Sequence, residues 1–249
     1  MVILAMDTAT DQLSLALGRD SGEVLASWTS AVPKMHATLF HPLLDQMLAA
    51  VKVSLQDVGA VVVGVGPGSY TGVRIAVTAA KVFSYTLNIP VVTVSSLEAA
   101  AYAARAHQGL VIPAWDARRH AAYCAAFRSD PYEQAWERAL PDGRREFSQL
   151  VQEVLEVARE DEKVWLLGNS ASSIVDFFRQ KGEDGIVGVY DERTLLSGEL
   201  IFRVGLRAIQ KQPDLITTQG MWESVHDLVP NYVQMAEAQA RLLPDRQGG

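Results

Sequence analysis

Cysteine is all but missing: the 249 residues hold one, Cys124. No disulfide can close within the chain, which suits a reducing compartment. Positive charge is short as well, with 22 lysines and arginines against 29 aspartates and glutamates and a formal net charge of -7. Such a balance draws the chain neither to nucleic acid nor to an anionic membrane, so any RNA contact has to be local or made through a partner. Long apolar runs are lacking too: no segment reaches the roughly 18 uninterrupted apolar residues of a membrane span. The opening MVILAMDTATDQLSLAL meets Asp7 too soon for a signal peptide. No membrane association and a cytoplasmic place are the expectations.

Catalytic and nucleotide signatures are also missing where they would be looked for. The glycine corner GVGPGSYTGVR, from Gly64 to Arg74, follows a valine run and precedes a smooth helical stretch, as a phosphate-binding turn does. A P-loop needs a lysine after its last glycine, yet counting five on from Gly64, Gly66 or Gly68 gives Ser69, Thr71 or Val73 with no lysine next. The dinucleotide fingerprint fails because Ser69 or Thr71 stands where its third glycine belongs. A hydrolase nucleophile elbow fails at Pro67. The plainer reading is a tight strand-to-helix turn that lets backbones pack closely, with Ser69 or Thr71 as helix cap.

What is present is a regular α/β order. With 49% hydrophobic residues the chain can bury a sizeable core. Short apolar strands at Val2 to Met6, Leu13 to Leu17 and Val24 to Trp28 open it as a meander with Asp7 at the first corner. Leu39, Phe40, Leu43, Leu44, Met47, Leu48 and Val51 recur at helical steps and predict a helix with a wide apolar face, with Pro42 kinking it or sitting near its first turn. A buried strand from Ala60 to Val65, a helix from about Gly72 to Leu87, the strand of IPVVTVSS and the helix of LEAAAYAARAH imply a partly parallel sheet.

After Gly109 the pattern restarts. LVIPAWDARRHAAYCAAF again places one aspartate, Asp116, just behind an apolar strand, which suggests a duplicated fold. A helix over Phe147 to Ala158, a strand over Val164 to Leu167, and helices over Ile174 to Gln180 and around Glu199 to Ile209 follow. The second helix of the first half is apolar nearly all round, through Val73, Ile75, Ala76, Val77, Ala79, Ala80, Val82 and Phe83, with little polar surface besides Arg74, Thr78 and Lys81, so it must be covered on more than one side. Ordinary core packing and a partner subunit are equally good covers on pattern alone.

Four stretches in order, ILAMDTATDQLSLAL, GVGPGSYTGVRIAVTAAK, VVTVSSLEAAA and PAWDARRHAAYCAAF, with a looser match at VPNYVQ, resemble the TsaB (YeaZ) family of bacterial tRNA threonylcarbamoyladenosine biosynthesis proteins. The resemblance is dense over about the first 128 residues. It implies a two-lobed, duplicated, actin-like ATPase (ribonuclease H-like) α/β fold with mixed sheets flanked by helices. The lobes would be 1–108, completed by part of 210–235, and a smaller 109–209, with 236–249 a mobile tail. In that superfamily the corner aspartates organise magnesium across a nucleotide cleft. Asp7, Thr8, Thr10 and Asp116 stand at those places, but Ala9 and Ala117-Arg118-Arg119 occupy positions where glycines grip phosphate. No cofactor is expected beyond a vestigial ATP and magnesium site.

The signature turn is Gly66, Pro67, Gly68, Ser69, Thr71 and Gly72. The catalytic relative TsaD carries a metal-binding His-x-x-x-His on the helix after the VVTV-type strand; here Ser96 and Ala100 stand there, and no metal site is expected. The resemblance therefore implies a non-catalytic partner of TsaD, joined by the ATPase TsaE, with a homodimer when alone and tRNA met only through the complex. Its interface would be a helical bundle using His36, Leu39, Phe40, Leu43, Met47, Val73, Arg74, Val77, Ala80 and Phe83. The alternatives are an active small-molecule kinase or ATPase using Asp7 and Asp116, a peptidase, and direct tRNA contact through Arg118, Arg119, Arg144 and Arg145.

Overall fold

A computed structural model describes residues 1–32, 35–133, 135–183, 187–191, 196–216 and 225–231. The first half runs β1 (Val2–Asp7), β2 (Leu13–Arg19), β3 (Val24–Ser30), α1 (His36–Val51), β4 (Val58–Gly64), α2 (Tyr70–Leu87), β5 (Val91–Val94) and α3 (Ser96–Ala101). The second half repeats it as β6 (Gly109–Asp116), β7 (Ala121–Asp130), β8 (Ala135–Glu146), α4 (Phe147–Val157), β9 (Val164–Leu167), α5 (Ala171–Gln180), β10 (Val187–Asp191) and α6 (Gly198–Lys211). The sheet orders, β3-β2-β1-β4-β5 and β8-β7-β6-β9-β10, correspond strand for strand. In both, the first strand is antiparallel to the second and parallel to the fourth. The fold is the duplicated α/β architecture with mixed sheets.

The two sheets are buried differently, and their sequences say why. Every residue of β1 is buried, without alternation, because helices cover both faces of the first sheet. In β6 and β7 the period is two: Val111, Trp115, Ala125 and Phe127 join the large central core, while Leu110, Ile112, Ala114, Ala122, Cys124 and Ala126 face α4 and α5.

The last helix of each half crosses to the other. α3 packs on β6 and β7, and α6 packs on β1, β2 and β4. α6 comes so near β4 that a Cβ at Gly205 would overlap the Val62 side chain. A split that leaves α6 within a lobe spanning 109–209 is corrected by this exchange, since Ile201, Phe202 and Val204 belong to the core around the first sheet. Leu215, Ile216 and Leu228 pack against that core too. Two strands escape the sequence reading, β8 and β10, and both are sheet edges. β8, AWERALPDGRRE, carries charge, a proline and a glycine instead of alternating apolar residues, as edge strands do. The expected long helix after β5 stops at Ala101 and tightens into a 3-10 turn, Tyr102–Ala104. Among the described residues no helix is long and apolar enough to cross a membrane. The tail 236–249 and Tyr232, Val233 and Gln234 of VPNYVQ lie outside the described residues.

Candidate functional site

Asp7 ends β1 and is fully buried. Its Oδ1 accepts the Ala9 amide at 2.6 Å, and its Oδ2 accepts the Ser96 hydroxyl. Burial raises its carboxyl from 3.8 to about 6, against the pull of those two bonds. The signature turn sits directly on this hairpin. The Ser69 amide donates to the Ala9 carbonyl at 2.7 Å, Thr8 Oγ1 donates to the Gly72 carbonyl at 2.6 Å, and the Ala76 amide donates to Thr8 Oγ1 at 3.2 Å. An added Cβ at Gly68 would land on the Ala9 carbonyl oxygen, and one at Gly72 on that of Thr8. Glycine is required there by backbone contact. The Gly66–Pro67 peptide is cis, and Ser69 caps α2 by accepting the Gly72 amide at 3.2 Å.

Such a corner does not fit a magnesium-organising aspartate. Both carboxylate oxygens are engaged and sealed from solvent, and Gly64 at the end of β4 lies so close to Oδ2 that an added Cβ would overlap it. Thr10 is spent locally, its Oγ1 accepting the Gln12 amide at 3.1 Å. Asp116 repeats only the turn: its Oδ1 accepts the Arg118 amide at 2.9 Å, as Asp7 Oδ1 accepts that of Ala9, but Asp116 is exposed. Its own amide donates to Asn169 Oδ1 at 2.8 Å. Arg118, Arg119 and His120 follow with three successive positive φ angles of 62°, 55° and 54°. Arg145, offered as an RNA contact by the sequence, is buried and bonded to Glu153 Oε2 at 2.6 Å and the Pro141 carbonyl at 3.0 Å, so it holds β8 to α4. Burial pushes the neighbouring Cys124 thiol up to about 11, which leaves it unreactive at neutral pH.

The open feature is a groove of about 550 Å³ between α1 and α2. Phe40 and Phe83, stacked at 6.3 Å, lie along it, with Ala37 and His41 on the α1 side. The α2 side is two adjacent i, i+4 rows, Tyr70, Arg74, Thr78 and Val82, then Thr71, Ile75, Ala79 and Phe83. Arg74 stands over the Tyr70 ring at 5.2 Å and donates to its hydroxyl at 2.9 Å, the one permanent charge of the lining.

Of the residues expected under a partner, Phe40, Arg74 and Phe83 line this groove. Met47 (0%), Val73 (3%), Val77 (4%) and Ala80 (0%) do not; the chain's own core covers them, which corrects their assignment to an interface, and the same core holds most of Phe40 (2%) and Phe83 (6%), which reach the groove only as its floor. Leu39 and Leu43 are half-buried against the same core. His36 is buried, its Nε2 3.0 Å from the Thr10 carbonyl, tying α1 to the first hairpin. Pro42 sits inside a continuous α1. The groove residues missed in the sequence had a signal, the mixed rows of α2, but the most apolar row was the buried one.

Comparison with known proteins matches this geometry to relatives. The family model described as TsaD, tRNA N6-adenosine threonylcarbamoyltransferase, matches residues 30–163. The Bacillus subtilis (strain 168) tRNA threonylcarbamoyladenosine biosynthesis protein TsaB is 32% identical over 250 residues, covering 99% of this chain and 100% of its own. Its Escherichia coli (strain K12) namesake is 37% identical over 132 residues, 52% of this chain and 56% of its own. Among solved structures, YeaZ from Pseudomonas aeruginosa superimposes with a TM-score of 0.68 at 20% identity, over 92% of this chain and all (100%) of its own. A second structure, described as an uncharacterized protein with similarity to peptidase YEAZ from Pseudomonas aeruginosa, gives 0.72 at 22%, over 94% and 99%. These two share the fold, and with the full-length match to the Bacillus protein, the chain belongs to the TsaB family of tRNA threonylcarbamoyladenosine biosynthesis proteins.

Proposed function

We propose that this protein serves the synthesis of N6-threonylcarbamoyladenosine on ANN-decoding tRNAs as a non-catalytic partner of TsaD, joined by TsaE. The observation that carries the reading is the α1/α2 groove, apolar, open to solvent and nearly free of charge, in a molecule whose aspartate corner is closed by Gly64 and Ser96. A groove of that kind suits a helix of a partner, with Phe40 and Phe83 as its floor and Tyr70 and Arg74 at its mouth, residue types that carry binding energy well. The contribution to the reaction is then binding energy: a partner that prefers the competent state of TsaD shifts its population without taking part in the chemistry. A second copy of this chain fills the groove when TsaD is absent. tRNA is met through the complex, in keeping with the net charge of -7. A kinase or ATPase reading would need the Asp7 corner open to solvent and phosphate, and it is packed shut.

The test is light-scattering chromatography of the protein alone and mixed with TsaD of the same genome, followed by threonylcarbamoyl transfer with and without it. A mixed complex whose transfer activity depends on this chain is the expected result. Independent elution together with unchanged transfer would refute it.

A further inference from the structure

Residues 225–231 join parts of the molecule that are far apart in sequence. Lys81 Nζ, on α2, donates to the His226 carbonyl at 2.9 Å. The Asn231 amide donates to the Val65 carbonyl at 2.8 Å, just before the signature turn, and Asn231 Nδ2 reaches Asp142 Oδ2 on β8 at 3.5 Å. Asp142 also accepts from Arg138 Nη1, whose Nη2 donates to Glu98 Oε2 on α3 at 2.8 Å. Two residues back, at the start of α3, the Ser96 amide donates to the Gly66 carbonyl at 3.0 Å, and its hydroxyl accepts the Gly66 amide at 3.0 Å. Val65 and Gly66 are neighbours, so the bonds close into a ring.

The ring spans both lobes, and aromatic packing braces it. Arg138 lies over the Phe127 ring at 4.6 Å, Trp136 stacks on Phe127 at 5.3 Å, and Trp136 Nε1 donates to Glu98 Oε1 at 3.3 Å. Any one of these half-exposed ion pairs is worth little. Joined in a ring they share geometry, and breaking one link loosens the rest. Two-lobed folds can move by hinging of one lobe against the other, and this ring ties the lobes together beside the core they share. It also fixes the turn from which α2 starts, hence Tyr70 and Arg74 at the groove mouth.

We infer that residues 225–231 act as a clasp that locks the two lobes and the signature turn into one unit and so sets the groove mouth. The test is amide hydrogen exchange on the full chain and two variants, each read across the ring from its substitution. Arg138→Gln breaks both ion pairs and is read at Gly66 to Arg74. Asn231→Pro removes the amide donor to Val65 together with the side chain, and is read at α3, which Asn231 does not touch. Exchange about tenfold faster or more at those distant segments, with α4 and α5 unchanged because their core is separate, is the expected result. Acceleration confined to the neighbourhood of each substitution overturns the clasp. If Asn231→Pro unfolds the whole chain, so that α4 and α5 also accelerate, Arg138→Gln alone decides. Because the readout needs no TsaD, failure here leaves the partner reading standing, and the reverse holds.

Discussion

A carboxylate such as Asp7, sealed from water and facing only a hydroxyl and an amide, is costly to keep ionised. Its pKa is raised to about 6, so the folded state holds the proton more tightly than the unfolded chain does. Stability from this residue is full below about pH 4 and is lost as pH rises through about 6, at a cost near neutrality of about 3 kcal/mol. Asp7→Asn is therefore expected to raise stability at pH 7 by up to that amount and to match the parent below pH 4, as read from urea midpoints across pH 4 to 8. The sequence placed Asp7 at a corner correctly, but the sealing depends on Gly64 and Ser96, both distant in the chain. The signature glycines were legible as a tight turn, and their partner was not. Gly72→Ala must displace the Thr8 carbonyl, and a drop of about 3 kcal/mol in urea unfolding is expected, larger than for a helix propensity change, which would favour alanine.

Apolar periodicity at the scale of the element shows that α2 is covered on more than one side, and it does not say by what. One cover is the protein's own sheet and core, over Val73, Val77 and Ala80; the groove is the side left open. Two substitutions on the same helix separate these sides. Val77→Glu puts a charge into the core and should abolish cooperative folding, whereas Val82→Glu, at a residue 54% exposed, should melt within a few degrees of the parent yet lose TsaD in co-elution. Circular dichroism melts and mixed chromatography read both. β8 and β10 escaped notice because an edge strand is stabilised by pairing on one side and needs little apolar alternation.

Two repeats of one topology exchange their last helices across the whole molecule, so neither half is complete in sequence order. Phe202, in the second half, is fully buried against the first sheet and lies beside Gly18 of β2. Phe202→Ala should cost about 3 to 5 kcal/mol and loosen β1 and β2 before α4 and α5, an order that hydrogen exchange reads directly.

Most strand and helix positions, the edge strands β8 and β10 aside, the paired aspartate corners and the duplicated order were legible in the sequence alone, because period, turn residues and capping act over a few neighbours. Which apolar face meets the protein's own core, what proton affinity Asp7 has, and where α3 and α6 pack were decided only by the tertiary structure. Burial and desolvation are set by residues brought together from distant parts of the chain, and no local pattern carries that information.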